Sequence, residues 1–258
     1  MTYDEVKQGL ADLHYAPLTT ADAGRLLYDM VAQPDIENVL ELGFGHGTSA
    51  AYMAAALAEK GTGSVTTIDR AAALSRKPNI HEVFEHLGLG AYLLPLYSSG
   101  SYNWELMRLI DRQTSGAETV PCFDFCFIDG AHTWETDGLA FLLADELLRP
   151  DRWVLFDDLR WTIASSPSTK TEKFETLSAD ELNTPQIAKV FDLLVRTNPR
   201  YAKFRVIGDY GWAYKSAIDG NGRHQDDVDK VVGPVILSHV QARRHPPTAM
   251  EEQTSFED

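Results

Sequence analysis

Nowhere in this sequence do roughly 18 apolar residues run together, the length a membrane-spanning helix needs. The opening residues, Met1 to Glu5, lack the basic start and apolar stretch of a secretory signal. The expectation is therefore a cytoplasmic protein that does not enter a membrane. Cysteine is scarce: only Cys122 and Cys126 occur, four positions apart in one predicted strand. Side chains at that spacing share a face but lie too far apart to bridge, so both read as small buried apolar residues in a reducing compartment. Positive charge is also short, with 23 Lys and Arg against 38 Asp and Glu, a net charge of −15. Nucleic acids are gripped by Lys and Arg that displace counterions, and no basic run is present, so nucleic acid is excluded as a partner. The negative surface serves solubility.

What the sequence does have is alternation. At 258 residues and 44% apolar content it can build one large α/β domain with appendages. Residues 1–35 read as an N-terminal helical extension, with Thr19 and Thr20 placed to cap a helix over Ala21–Val31. Strands are expected at Val39–Leu42, Ser64–Asp69, Ala91–Tyr97, Phe123–Asp129 and Trp153–Asp157. Helices fall between them at Thr48–Lys60, Ile80–Leu87, Trp104–Arg112 and Glu135–Leu148, the last with Leu139, Leu142, Leu143 and Leu147 on one side. Strands that are apolar on both faces and alternate with helices give a doubly wound, mostly parallel sheet. A helix at Pro185–Val195 and a hairpin of Lys203–Gly208 with Gly211–Ser216 complete an α/β, Rossmann-like domain over residues 36–218. Within it the polar stretch Trp161–Leu182 (residues 161–182) reads as a substrate lid. Residues 219–258 form a C-terminal extension whose end is expected to be disordered. The apolar residues of the N-terminal helix and of Val231–Val240 point to a homodimer contact.

The stretch Val39-Leu-Glu-Leu-Gly-Phe-Gly-His-Gly-Thr48 is a strand, a glycine turn and a helix start. Gly43, Gly45 and Gly47 let backbone approach a ligand closely. The spacing is G-x-G-x-G, and Thr48 stands where a dinucleotide fingerprint has its third glycine. Glu41, two positions before the turn, disfavours a pyrophosphate and suits a cationic amino group. Asp69 ends the second strand, where a carboxylate can accept both hydroxyls of a ribose; a helix cap or turn role remains open for it.

This stretch resembles motif I of class I S-adenosylmethionine-dependent methyltransferases, over about residues 37–216. The resemblance implies a seven-stranded sheet whose terminal antiparallel hairpin supplies the reversed strand. It also implies that Gly43, Gly45 and Gly47 wrap the methionine moiety, helped by Glu41 through water or the loop. Asp69 would then hold the ribose, while Ser98 and Ser99 meet the adenine.

Asp129, Asp157 and Asp158 close two neighbouring strands and should converge in the same crevice. Carboxylates so placed repel unless a cation offsets them, and an all-oxygen set selects Mg²⁺ or Mn²⁺; turn and cap roles are the alternative. His132, three residues after Asp129, is placed to take a hydroxyl proton. The string Phe127-Ile-Asp-Gly-Ala-His-Thr-Trp134, followed by Asp157-Asp158, resembles metal-dependent small-molecule O-methyltransferases. Among these are the macrolide and antibiotic-sugar enzymes and cephalosporin-hydroxylase-like proteins. The resemblance implies Asp129, Asp157 and Asp158 as metal ligands, with His132, or Asp129, receiving the proton from a small-molecule hydroxyl. Trp134, Trp161, Tyr210 and Trp212 either line the acceptor pocket or pack. The other readings left open are an NAD-dependent oxidoreductase and a homologue that binds S-adenosylmethionine without methylating.

Overall fold

The computed structural model describes residues 1–166 and 176–217. Val231–Val240, the C-terminal extension and part of the 161–182 segment lie outside the described residues. The chain runs α1 (Tyr3–Asp12), α2 (Ala21–Val31), β1 (Asn38–Leu42), α3 (Thr48–Lys60), β2 (Ser64–Arg70), α4 (Ile80–Leu87), β3 (Leu93–Ser98) and α5 (Asn103–Gln113). There follow β4 (Thr114–Ser115), β5 (Glu118–Thr119), β6 (Phe123–Ile128), α6 (Trp134–Leu147), β7 (Leu148–Phe156), α7 (Ala179–Asn183) and α8 (Gln186–Val190). A π-helical turn, Phe191–Val195, leads to β8 (Tyr201–Ile207) and β9 (Tyr210–Lys215).

Seven strands form one sheet in the order β3-β2-β1-β6-β7-β9-β8. The first five run parallel, and β9 pairs antiparallel with both β7 and β8. This is the expected doubly wound sheet with a terminal hairpin. The central strand β6 is buried at every position, apolar but for Asp124, which accepts the Glu37 and Asn38 amides and pairs with Arg149. Helix α3 packs on β2, and its residues Thr48–Leu57 are all buried and half of them alanine, so the helix packs close to the sheet. Gly61 ends α3 in the left-handed conformation, and an Asn79/Glu82 capping box starts α4. Among the described residues no helix is long and apolar enough to cross a membrane.

Three features differ from the pattern of the sequence. Val6, Leu10, Leu26, Leu27 and Met30 of α1 and α2 sit in the same core as Val39, Val65 and Phe125 of the sheet. The apolar residues of the N-terminal helices, expected outside the core and available to a second copy, are thus used within the chain. On α6, Leu147 is buried, but Leu139 and Leu142 are 48% and 45% exposed. Ala140, Phe141 and Ala144 face the core instead. The helix is apolar nearly all round, and the stripe containing small residues allows the closer approach to the sheet. The small hairpin β4–β5 closes through Gly116 at φ +67° and has no apolar alternation to announce it. Cys122 and Cys126 are free thiols, and burial pushes the Cys126 thiol far up.

Candidate functional site

The carboxyl ends of β1, β2, β6 and β7 open on one side of the sheet. Gly43, Gly45 and Gly47 take φ of +88°, +54° and +92°, values that L side chains rarely adopt. At Gly43 there is a second constraint: a Cβ would lie 2.0 Å from the carbonyl oxygen of Asp129. The β1 turn and the β6 end can approach this closely only because that side chain is hydrogen. Asp69 Oδ2 accepts the amides of Phe44 (3.1 Å) and Gly45 (3.0 Å), so the carboxylate also braces the glycine turn. It remains half-buried at the end of β2. Ser98 is the last residue of β3 and is buried; its Oγ finds no partner among the described residues, whereas Ser99 is exposed.

Glu41 is fully buried and accepts hydrogen bonds from Ser49 Oγ on α3 and Thr67 Oγ1 on β2. It ties the start of α3 to the sheet. Burial raises its carboxyl to about 8; the two hydroxyl bonds pull it down and the charges of Asp129 and Asp69 push it further up. The folded chain therefore holds this proton more tightly than the unfolded chain, for which the ordinary value is 4.5. Its contribution to stability is full below that ordinary value and is lost as pH rises through about 8. Glu41→Gln removes the titration. The variant should gain about 2–3 kcal/mol relative to the parent between pH 5 and 8 in urea unfolding. A parent that gains on the variant with rising pH would show that the carboxylate is the favoured form.

Asp129 follows β6, and Asp157 and Asp158 follow β7, its parallel neighbour. Between them sits His132, with Nε2 3.4 Å from Asp129 Oδ1 and 3.3 Å from Asp158 Oδ2. His132 and Asp158 have φ of +58° and +59°. Two non-glycine residues in the left-handed region imply strain that the surrounding contacts must hold in place. The loop before α6 is indeed pinned. Tyr102 Oη donates to Asp137 and accepts the Ala131 amide, and Asp137 also accepts the Thr133 amide. Trp161 packs against the imidazole at 4.9 Å between ring centroids. Burial lowers the affinity of His132 for a proton, but the bond to Asp129 and the charges of Asp129 and Asp158 prevail and lift it to about 8.

Asp129, His132 and Asp158 each offer one atom, all within 4.8 Å of one another. Among the described residues this is the one convergence of three such groups. The expected trio had Asp157 in the place of His132. Asp157 Oδ1 accepts the Asp158 amide at 2.7 Å instead, and burial with the charges of Asp129 and Asp158 raises its carboxyl. The difference arises from the left-handed turn at His132, which folds the imidazole back over Asp129. Of the four aromatic residues, Trp212 packs in the core against Phe125 and Trp153 and is buried; Trp134 is exposed beside the loop.

Residues 40–159 match the family model of a methyltransferase domain. No curated protein matches the sequence. Solved structures share the fold. Methyltransferase PaMTH1 of Podospora anserina, bound to S-adenosylhomocysteine, is 16% identical over 83% of this chain and 88% of that one, with a TM-score of 0.59. The Bacillus cereus O-methyltransferase in complex with S-adenosylhomocysteine is 21% identical over 83% and 90%, at 0.55. The tomaymycin-synthesis O-methyltransferase TomG of Streptomyces achromogenes, in complex with S-adenosylmethionine, is 17% identical over 83% and 89%, at 0.56. At these identities the likeness is one of architecture.

Proposed function

We propose that this chain, whose residues 40–159 are a methyltransferase domain on the class I fold, methylates a hydroxyl oxygen of a small molecule with a divalent cation at its acidic cluster. The observation that carries this reading is the meeting of the glycine turn with Asp129, His132 and Asp158 at neighbouring strand ends. The acceptor class, a hydroxylated natural product or sugar, follows from the resemblance of the Phe127–Trp134 string.

The residues fit S-adenosylmethionine. A half-buried Asp69 carboxylate at a strand end supports the ribose reading, and a buried Ser98 Oγ without a partner among the described residues supports the adenine reading. The glycine turn, which carries no side chain at Gly43, Gly45 and Gly47, leaves room for the methionine end. When bound, S-adenosylmethionine supplies an electrophilic methyl group on a sulfonium centre. The acidic cluster likewise fits a hard cation, since its only counter-charge among these side chains is His132. Asp129 and Asp158 would hold the ion, with Asp157 beside them. A cation there would lower the pKa of an acceptor hydroxyl and fix its direction.

The protein's own part is alignment and proton removal. Displacement at the methyl carbon depends chiefly on holding donor and acceptor in line. A cation on Asp129 and Asp158 would offset the charges that raise His132, and the imidazole, then neutral, would receive the hydroxyl proton at Nε2. The pinned loop under it keeps that nitrogen between the two carboxylates.

Calorimetric titration with S-adenosylhomocysteine, with and without Mg²⁺, tests the assignment. Micromolar or tighter binding is expected, followed by EDTA-sensitive methylation of polyhydroxylated acceptors. Undiminished turnover in EDTA would remove the cation, and no binding by folded protein would remove the cofactor.

A further inference from the structure

The segment joining α1 to α2 crosses the glycine turn, and nothing in the sequence marks it as part of the site. Tyr15 Oη lies 2.6 Å from Thr48 Oγ1, at the first residue of α3. The Tyr15 ring packs against His46 at 5.1 Å between centroids, and His46 Nδ1 is 2.7 Å from the Pro78 carbonyl oxygen. Three residues on, Leu18 reaches the turn itself: a Cβ added to Gly45 would lie 2.7 Å from Leu18 Cδ1. Both ends of the segment are anchored, by Val6 and Leu10 of α1 and by Leu26 and Leu27 of α2, all buried in the core. Leu18 is nonetheless 65% exposed. A lone exposed leucine is ordinary on a protein surface. This one is held beside the glycine turn by two helices anchored in the core and by a tyrosine bonded to the next helix.

We infer that Leu18 completes the wall of the cofactor site, covering an S-adenosyl ligand where it lies on the glycine turn, with Tyr15 as the positioning residue. The inference rests on the cofactor reading above. Leu18 supplies apolar surface to the uncharged aliphatic part of the ligand, which otherwise meets backbone there. Tyr15 touches no ligand; its hydroxyl on Thr48 and its ring on His46 set the height of the segment above the turn. The N-terminal helices thereby become part of the binding site as well as of the core.

Titration with S-adenosylhomocysteine distinguishes the outcomes. Leu18→Ser should raise the Kd about tenfold, because most of a leucine side chain then no longer leaves water on binding. Leu18→Met should stay within about twofold of the parent. Tyr15→Phe should raise the Kd about threefold through the lost hydroxyl contact. The melting temperature of each ligand-free variant should stay within about 2 °C of the parent, since Leu18 is exposed and neither change opens the core. In the parent, the ligand should slow amide exchange over residues 14–19. Parent and Leu18→Ser proteins that bind equally well, or unslowed exchange in that segment, would overturn the wall while leaving the cofactor assignment standing. A parent that does not bind at all would overturn both.

Discussion

His132→Ala is expected to lower kcat by about 10²–10⁴ while leaving the affinity for S-adenosylhomocysteine within about threefold. The size follows from what the imidazole does in the proposed reaction. It sits 3.4 Å from Asp129 and 3.3 Å from Asp158, and both carboxylates orient it toward the crevice. Alanine removes the proton acceptor from between the two acids. The proposed cofactor contacts lie at and just beyond the ends of β1, β2 and β3 and do not involve this side chain, so binding should survive. The test is steady-state turnover beside calorimetry on the same preparations. A variant that turns over within about threefold of the parent would remove His132 as the base and leave Asp129 to receive the proton.

Asp145→Ala should cost about 3–5 kcal/mol in urea unfolding at neutral pH. Asp145 is on the last turns of α6 and is buried. Tyr201 Oη donates to its Oδ1 at 2.9 Å, Arg200 pairs with its Oδ2, and Lys215 Nζ lies 3.1 Å from Oδ1. Lys215 also donates to the Asp145 and Leu148 carbonyl oxygens. Burial holds the Lys215 ammonium below its ordinary value even with Asp145 beside it. Alanine therefore leaves a buried ammonium with carbonyl partners but no counter-charge, and cuts the tie between α6 and the β8–β9 hairpin. Pairing it with Lys215→Met should recover part of the loss, because the second change removes the stranded charge. A loss under about 1 kcal/mol would mean that water or Glu146, which already bonds Arg200, compensates.

The residues that fail to announce their role share one property: their partners are distant in sequence. Nothing near Glu41 shows that Ser49 and Thr67 will occupy both its oxygens, because Thr67 becomes its neighbour only when β2 pairs with β1. Tyr102 and Asp137 look like ordinary helix residues, yet they hold the loop that carries His132. Tyr15 stands 33 positions from Thr48. A hydroxyl four residues before a glycine turn would have been a readable signal; one that far away is not.

By itself the sequence determined the order of strands and helices, the glycine turn and the placement of acids at strand ends. Each of these is local, set by side-chain periodicity, by the conformational freedom of glycine and by where an apolar run stops. Only the tertiary structure decided which face of α6 turns inward, since a helix apolar all round offers more than one stripe and packing distance selects between them. It also decided that His132 turns its Nε2 between Asp129 and Asp158, through a left-handed backbone turn held by Tyr102 and Asp137. Convergence of three side chains within 4.8 Å depends on strand register and loop twist together, and no single segment encodes both.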